Sequence, residues 1–131
     1  VIEYGNQGVI IVRRKIAPYK GMWALPGLRM YKGEDIDDTL RRIAKKEVGL
    51  DIDPTDRVFL GQFVGKFRTE HERQDLSTGY LVRASEDQEI KINTEHFYSF
   101  RITRTIPDTM GAMYKYYLAE YLKRKDLEEY G

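Results

Sequence analysis

Apolar and polar residues alternate along much of this chain in the short pattern that is typical of β-strands. Two apolar runs, 1–4 and 9–13, flank the turn residues Gly5-Asn6-Gln7-Gly8 and predict a hairpin. Further strands are predicted for four segments: 29–31, 57–67, 78–84 and 96–103. The polar segments 17–20 and 69–75 are predicted to be loops, and we expect them to determine substrate specificity.

One helix is predicted for residues 36–48. Asp35 is a suitable N-cap, Asp38 gives a capping-box pattern, and Gly49 suits the C-terminal end. Four apolar residues share one arc of the helical wheel: Ile36, Leu40, Ile43 and Ala44. Glu47 lies in the middle of that arc. A carboxylate facing the core is costly unless a cation or strong hydrogen-bond donors meet it, so Glu47 is a candidate functional residue.

A second helix is predicted to start near Pro107, with an apolar face that contains Met110, Met113, Tyr117, Leu118 and Tyr121. The element order is therefore β-β-α-β-β-β-α. A chain of 131 residues suits one domain, 1–131, with an α/β fold.

The amino-acid composition and charge argue against several classes of function. The net charge is +1 with both signs mixed, so no nucleic-acid partner is expected. The chain has no cysteine, which excludes disulfides and thiolate chemistry. No apolar run is long enough to span a membrane and no signal peptide is visible, so we expect no membrane partner and a cytoplasmic location.

The segment 23–50 carries the most specific pattern, WALPGLRMYKGEDIDDTLRRIAKKEVGL. It resembles the Nudix box, G-x5-E-x7-R-E-U-x-E-E-x-G-U, where U is a bulky aliphatic residue, with the box region at 27–50. Glu34, Arg42, Glu47 and Gly49 fall in register. The resemblance implies a Nudix hydrolase, an α/β/α sandwich with a mixed β-sheet flanked by helices.

Three positions depart from the Nudix pattern: Leu28, Ile43 and Lys46 replace a Gly and two Glu residues. Two metal-binding carboxylates are therefore missing. The remaining set supports one Mg²⁺, with Mn²⁺ as a possible substitute, better than two or three metals.

This altered box is similar to that of the GDP-mannose mannosyl hydrolases, a Nudix branch in which water attacks the anomeric carbon and releases GDP and free sugar. The segment Asp75-Leu76-Ser77-Thr78-Gly79-Tyr80 and the pair Glu95-His96 carry the rest of the similarity. The resemblance implies these roles: Mg²⁺ held by the Gly27 carbonyl, Glu47 and Glu95; substrate diphosphate bound by Arg14, Arg29 and Tyr80; His96 as general base. It also implies a nucleotide-sugar substrate and a homodimer.

Other interpretations of the same residues stay open. Glu47 could form a salt bridge with Arg42, and His96 could be a hydrogen-bonded structural residue. Trp23 could pack in the core or stack on a base. Glu34 and Glu47 together could form a reduced metal site for ordinary pyrophosphate cleavage at a P–O bond. Lys46 beside Glu47 could instead hold phosphates in a non-catalytic nucleotide-binding module.

Overall fold

The computed structural model describes residues 1–67 and 73–130. Its elements in chain order are β1 (Ile2–Tyr4), β2 (Gly8–Arg14), β3 (Trp23–Ala24), α1 (Ile36–Val48), a 3₁₀ turn (Pro54–Asp56), β4 (Val58–Phe67), β5 (Arg73–Ala84), β6 (Phe97–Thr103) and α2 (Ala112–Tyr130). Within the described ranges, no helix has the length and apolar character needed to cross a membrane.

The strands form one mixed sheet. β1 pairs antiparallel with β2 through the predicted hairpin and parallel with β5. β2 also pairs with β3 and β6, and β4 pairs antiparallel with β5 along most of its length. The aliphatic run of β2 from Val9 to Val12 is completely buried, which places the centre of the core on this strand. The mixed sheet and its two helices confirm the predicted α/β class.

Helix α1 has the predicted bounds and both predicted caps. The Asp35 side chain accepts a hydrogen bond from the Asp38 N–H, and the Asp38 side chain accepts one from the Asp35 N–H. Gly49 adopts φ +72° and its N–H bonds to the carbonyls of Ala44 and Lys45, which ends the helix. Local hydrogen bonds therefore define both ends of the helix that carries Glu47.

Two predicted elements differ from the structure because the backbone has other partners. The 29–31 segment is not a strand: the Arg29 carbonyl accepts from Arg42, and the Tyr31 N–H donates to Glu34. Helix α2 starts at Ala112 rather than near Pro107, because the backbone just before it bridges to Trp23.

Strand β5 begins at Arg73, so the predicted loop at 69–75 is wrong for its last three residues, and 69–72 lie outside the described residues.

A buried carboxylate on β1 fastens helix α2 to the sheet. Glu3 accepts a hydrogen bond from the Tyr121 hydroxyl, and the Lys125 ammonium lies 2.9 Å from its Oε2. Arg83 on β5 donates to Glu3 Oε1 at 3.2 Å. Although burial opposes ionisation, these donors lower the pKa of Glu3 below its ordinary value.

Gly79 on β5 lets Tyr117 of α2 lie directly against the strand. A Cβ at this position would be 2.3 Å from Tyr117 Cδ1. We expect Gly79→Ala to reduce the free energy of unfolding by about 1–3 kcal/mol, because the ring must move away from its packed position. Urea denaturation measures this loss. Gly27→Ala is the control, since a Cβ there meets no atom within 4 Å; equal stability losses in both variants would contradict the steric explanation.

Candidate active site

A cavity of about 750 Å³ opens between the sheet and the two helices. Helix α1 contributes Leu40 and Ile43 to its wall, while β5 contributes residues 75–80. Four residues that the sequence assigned to substrate or metal line this cavity: Arg14, Gly27, Arg29 and Tyr80. Their common position explains how segments far apart in the chain can contact one ligand.

Arg14 lines the cavity with most of its donors already engaged. Its Nε donates to the Pro18 carbonyl at 2.5 Å and its Nη2 to the Ala17 carbonyl at 3.2 Å. Its Nη1 lies 3.5 Å from the Tyr114 hydroxyl. Arg14 therefore organises the loop that follows β2, a role that the sequence did not predict. The side chain of Arg29, by contrast, is exposed at the cavity.

Glu34 and Arg42 form the ion pair that holds the box loop against α1. The Arg42 Nε and Nη2 each donate to one Glu34 oxygen at 2.8 Å, and Nη2 also reaches the Arg29 carbonyl at 2.5 Å. The Arg42 guanidinium stacks 3.8 Å from the centre of the Tyr31 ring. These contacts bind the segment that presents Gly27 and Arg29 to the cavity.

The Glu34 carboxyl should make stability depend on pH in the acidic range. Its hydrogen bonds with Arg42 lower its pKa from 4.5 to about 2. A pKa depressed by folding contributes stability that is present above the unfolded value and lost as pH falls through the folded value. The melting temperature of the wild type should therefore exceed that of Glu34→Gln by a constant amount above about pH 5.5, and the difference should shrink from pH 4.5 to 2.

Thermal melts across this pH range test the Glu34 prediction. Glu129→Gln, on the exposed last turn of α2, is the control that removes one carboxylate without touching this ion pair. A melting-temperature difference that stays the same from pH 6 to pH 2 would contradict the stabilising role assigned to the Glu34 carboxylate.

Glu47 and His96 form a second pair, one helical turn beyond the cavity wall made by Ile43. Glu47 has no exposed surface, and the His96 Nδ1 lies 2.9 and 3.0 Å from its two carboxylate oxygens. The His96 carbonyl accepts from the Lys15 N–H, and the next residue, Phe97, pairs with Arg14 in the sheet. The predicted salt bridge between Glu47 and Arg42 is absent from the described contacts, where Arg42 binds Glu34.

The buried carboxylate of Glu47 is a suitable oxygen ligand for one divalent cation. No group of three or more carboxylate, imidazole or thiol side chains converges within the described ranges. Glu47 has two oxygens, so one can hold His96 while the other meets a cation. Within the described residues Arg42 Nη1 is buried without a hydrogen-bond acceptor, and such a donor is suited to an oxygen atom of water or of a bound anion. Mg²⁺ commonly combines one or two carboxylates with water and substrate phosphates.

The remaining candidate residues, Glu95, Lys46 and Trp23, are not among the residues that line the cavity. Glu95 is exposed, and its backbone N–H bonds to the Asn93 side chain. Lys46 is also exposed on α1. Trp23 stacks under the Arg101 guanidinium at 4.7 Å and is not among the cavity residues, so its contacts support the packing interpretation. Tyr19 also lines the cavity but was not among the predicted site residues, because a tyrosine in a loop belongs to no recognisable sequence pattern.

The structure thus combines a mixed sheet, a capped helix that carries a buried carboxylate, and a cavity lined by two arginines. The model of the NUDIX domain matches residues 1–107. The chain belongs to the Nudix hydrolase superfamily, and its fold is the Nudix α/β/α sandwich.

Similar proteins support this assignment. The low-salt glycan biosynthesis protein Agl8 of Haloferax volcanii is 32% identical over 93 residues, which cover 68% of this chain and 58% of that protein. The chain thus spans little more than half the length of this curated relative. Members of the superfamily generally use divalent metals such as Mg²⁺.

Solved structures agree on the fold. The MutT Nudix hydrolase from Burkholderia pseudomallei superimposes with a TM-score of 0.67 at 14% identity, covering 91% of this chain and 94% of that one. A MutT/Nudix family protein from Enterococcus faecalis superimposes with a TM-score of 0.72 at 15% identity, covering 97% and 61%. At these identities the likeness establishes the fold alone.

Proposed function

We propose that this protein is an Mg²⁺-dependent hydrolase of a nucleoside diphosphate derivative, most specifically a nucleotide sugar, that cleaves at the anomeric carbon. The observation that carries the proposal is the pairing of a fully buried Glu47 with His96, one helical turn along α1 from Ile43 in the cavity wall. The 32% identity to a glycan biosynthesis protein supports a sugar-containing substrate.

Glu47 can prepare His96 for proton abstraction. With Glu47 ionised, its carboxylate only accepts hydrogen bonds, so the Nδ1 that faces it carries the hydrogen; Asn93 Nδ2 lies farther from the same atom, at 3.3 Å. In a neutral imidazole this arrangement leaves the lone pair on Nε2. The His96 side chain is 27% exposed, so it is open to solvent on one side. His96 Nε2 is therefore suited to accept a proton from a water molecule.

The cavity supplies the groups that hold the leaving group. Arg29 is exposed at the wall, and guanidinium groups bind phosphate oxygens in a bidentate manner. Tyr80 offers a further hydroxyl from β5, and Arg14 binds the loop that carries Pro18 in the cavity lining. These groups favour a diphosphate whose negative charge increases as its bond to the sugar breaks.

In the proposed reaction the water oxygen forms a bond to the anomeric carbon while its proton moves to His96 Nε2. The bond between that carbon and the diphosphate oxygen breaks, and its electron pair leaves with the nucleoside diphosphate. Glu47, the Gly27 carbonyl and Glu95 are the residues proposed to hold Mg²⁺. The cation would supply positive charge that stabilises the diphosphate leaving group.

Turnover of a substrate panel tests this proposal. Purified protein is incubated with GDP-mannose, UDP-glucose and ADP-ribose, with Mg²⁺ or with EDTA, and products are separated by ion-exchange chromatography. We expect a nucleoside diphosphate and free sugar from at least one nucleotide sugar, in Mg²⁺ only. A nucleoside monophosphate and sugar phosphate as the products would instead establish cleavage at phosphorus.

Ordinary pyrophosphate cleavage is the second candidate function. It requires the reduced metal site made by Glu34 and Glu47, but both Glu34 oxygens accept hydrogen bonds from Arg42. The binding-module alternative depends on Lys46, whose exposed ammonium would meet phosphates. Binding of nucleotide in EDTA without any product after long incubation in Mg²⁺ would favour the module.

A further inference from the structure

Tyr19 lines the cavity in a position that the surrounding structure determines. It lies in the loop between β2 and β3, and its backbone adopts φ +63°, a conformation that residues other than glycine rarely adopt. Such strained residues persist where their surroundings hold them, and they cluster at sites that bind ligands.

Three contacts hold the ring and its loop. Arg14 binds the carbonyls of Ala17 and Pro18, directly before Tyr19. The Tyr114 ring meets the Tyr19 ring edge-on, with centroids 5.8 Å apart and an angle of 70° between the planes. Gly111 approaches so closely that an added Cβ would lie 3.0 Å from Tyr19 Cδ1. The ring is thus fixed against α2 before any ligand enters.

The fixed ring is half-buried and lines the same cavity as Arg14 and Arg29. A rigid aromatic wall beside cationic groups matches the two parts of a nucleotide, which are a planar base and a charged diphosphate. The other two tyrosines on α2 that line the cavity are more deeply buried: Tyr114 packs behind Tyr19, and the Tyr117 hydroxyl bonds to Ser77 at 2.5 Å. Trp23, the other aromatic residue near this loop, lies under Arg101 instead.

We infer that Tyr19 is a substrate-binding residue that stacks on the nucleobase of the substrate, an inference that rests on the proposed function. The base then occupies the part of the cavity bounded by the 17–22 loop and α2. The diphosphate lies toward Arg29, and the sugar lies toward the Glu47–His96 pair. Because the ring is held in place beforehand, the base would meet it without reordering the loop.

Direct binding of GDP and of inorganic pyrophosphate, measured by isothermal titration calorimetry with Mg²⁺ present, tests this assignment. Tyr19→Leu keeps the apolar bulk and removes the flat ring, while Tyr19→Phe keeps the ring. Stacking on an aromatic side chain predicts that Tyr19→Leu weakens GDP binding by about 5- to 100-fold. Pyrophosphate has no base, so its affinity should be unchanged, and Tyr19→Phe should bind GDP like the wild type. Tyr98→Leu, on β6 and outside the cavity lining, is the matched control.

Each other result overturns the assignment in a recognisable way. Unchanged GDP affinity in Tyr19→Leu would show that the ring does not contact the base. Equal weakening for GDP and pyrophosphate would mean that Tyr19 only supports the loop, and an equal loss in Tyr19→Phe would transfer the role to the hydroxyl. If the wild type binds neither ligand, the inference fails, and the substrate panel decides separately whether the proposed function holds.

Discussion

Glu47→Gln is expected to lower Mg²⁺-dependent turnover by about 100-fold or more while leaving the fold intact. The amide keeps the shape of a side chain that has no exposed surface, but it removes the negative charge. It also replaces the carboxylate oxygens that accept from His96 Nδ1 at 2.9 and 3.0 Å. The amide oxygen can still accept from Nδ1, so the expected loss comes from the missing negative charge that would bind the cation and support the imidazole.

Separate measurements of folding and of cation binding distinguish this effect from simple unfolding. Circular dichroism and thermal melting establish that Glu47→Gln is folded at the assay temperature, and Mn²⁺ binding followed by electron paramagnetic resonance reports the cation directly. Glu3→Gln is the matched control, because Glu3 is also a buried carboxylate but lies against α2 and outside the site. Normal turnover and normal Mn²⁺ affinity in folded Glu47→Gln would remove Glu47 from the mechanism.

His96→Ala is expected to reduce kcat by about 10²- to 10⁴-fold with little change in KM, because a general base acts in the chemical step and not in ground-state binding. The Nδ1 contact with Glu47 and the 27% exposure of the side chain place Nε2 as the free acceptor. Added imidazole should restore part of the lost rate in His96→Ala, since a small base can enter the space that the side chain leaves.

Imidazole rescue separates a catalytic from a structural role for His96. The His96 ring also packs edge-on against Phe97 at 6.0 Å, so its removal could disturb β6. Such a disturbance would lower stability and raise KM, and imidazole would not reverse it. A variant with full kcat would assign proton abstraction to another group.

The helix that carries the chemistry was predictable from the sequence because local interactions define it. Asp35, Asp38 and Gly49 form the caps through contacts within a few residues of the chain, and all three predictions are confirmed. The burial of Glu47 was also predictable, since helical periodicity alone sets its direction. Its partner His96 is 49 positions away and was placed by resemblance, not by periodicity.

Long-range pairing accounts for what the sequence did not reveal. The 29–31 segment has strand-like composition, but Arg42 and Glu34 bind its backbone groups, and no local pattern reports such competition. The loop wall of the cavity depends on Arg14 binding carbonyls three and four residues ahead and on Gly111 nearly a hundred residues away. Tyr19 is therefore identifiable only after the strands and α2 have been brought together.

Hydrolysis of GDP-mannose in ¹⁸O-labelled water with Mg²⁺, followed by mass spectrometry of both products, tests the central claim most directly. Attack at the anomeric carbon predicts that the label appears in the free sugar and that the released GDP is unlabelled. Labelled GMP or labelled sugar phosphate would contradict the account, because the water would then have attacked phosphorus.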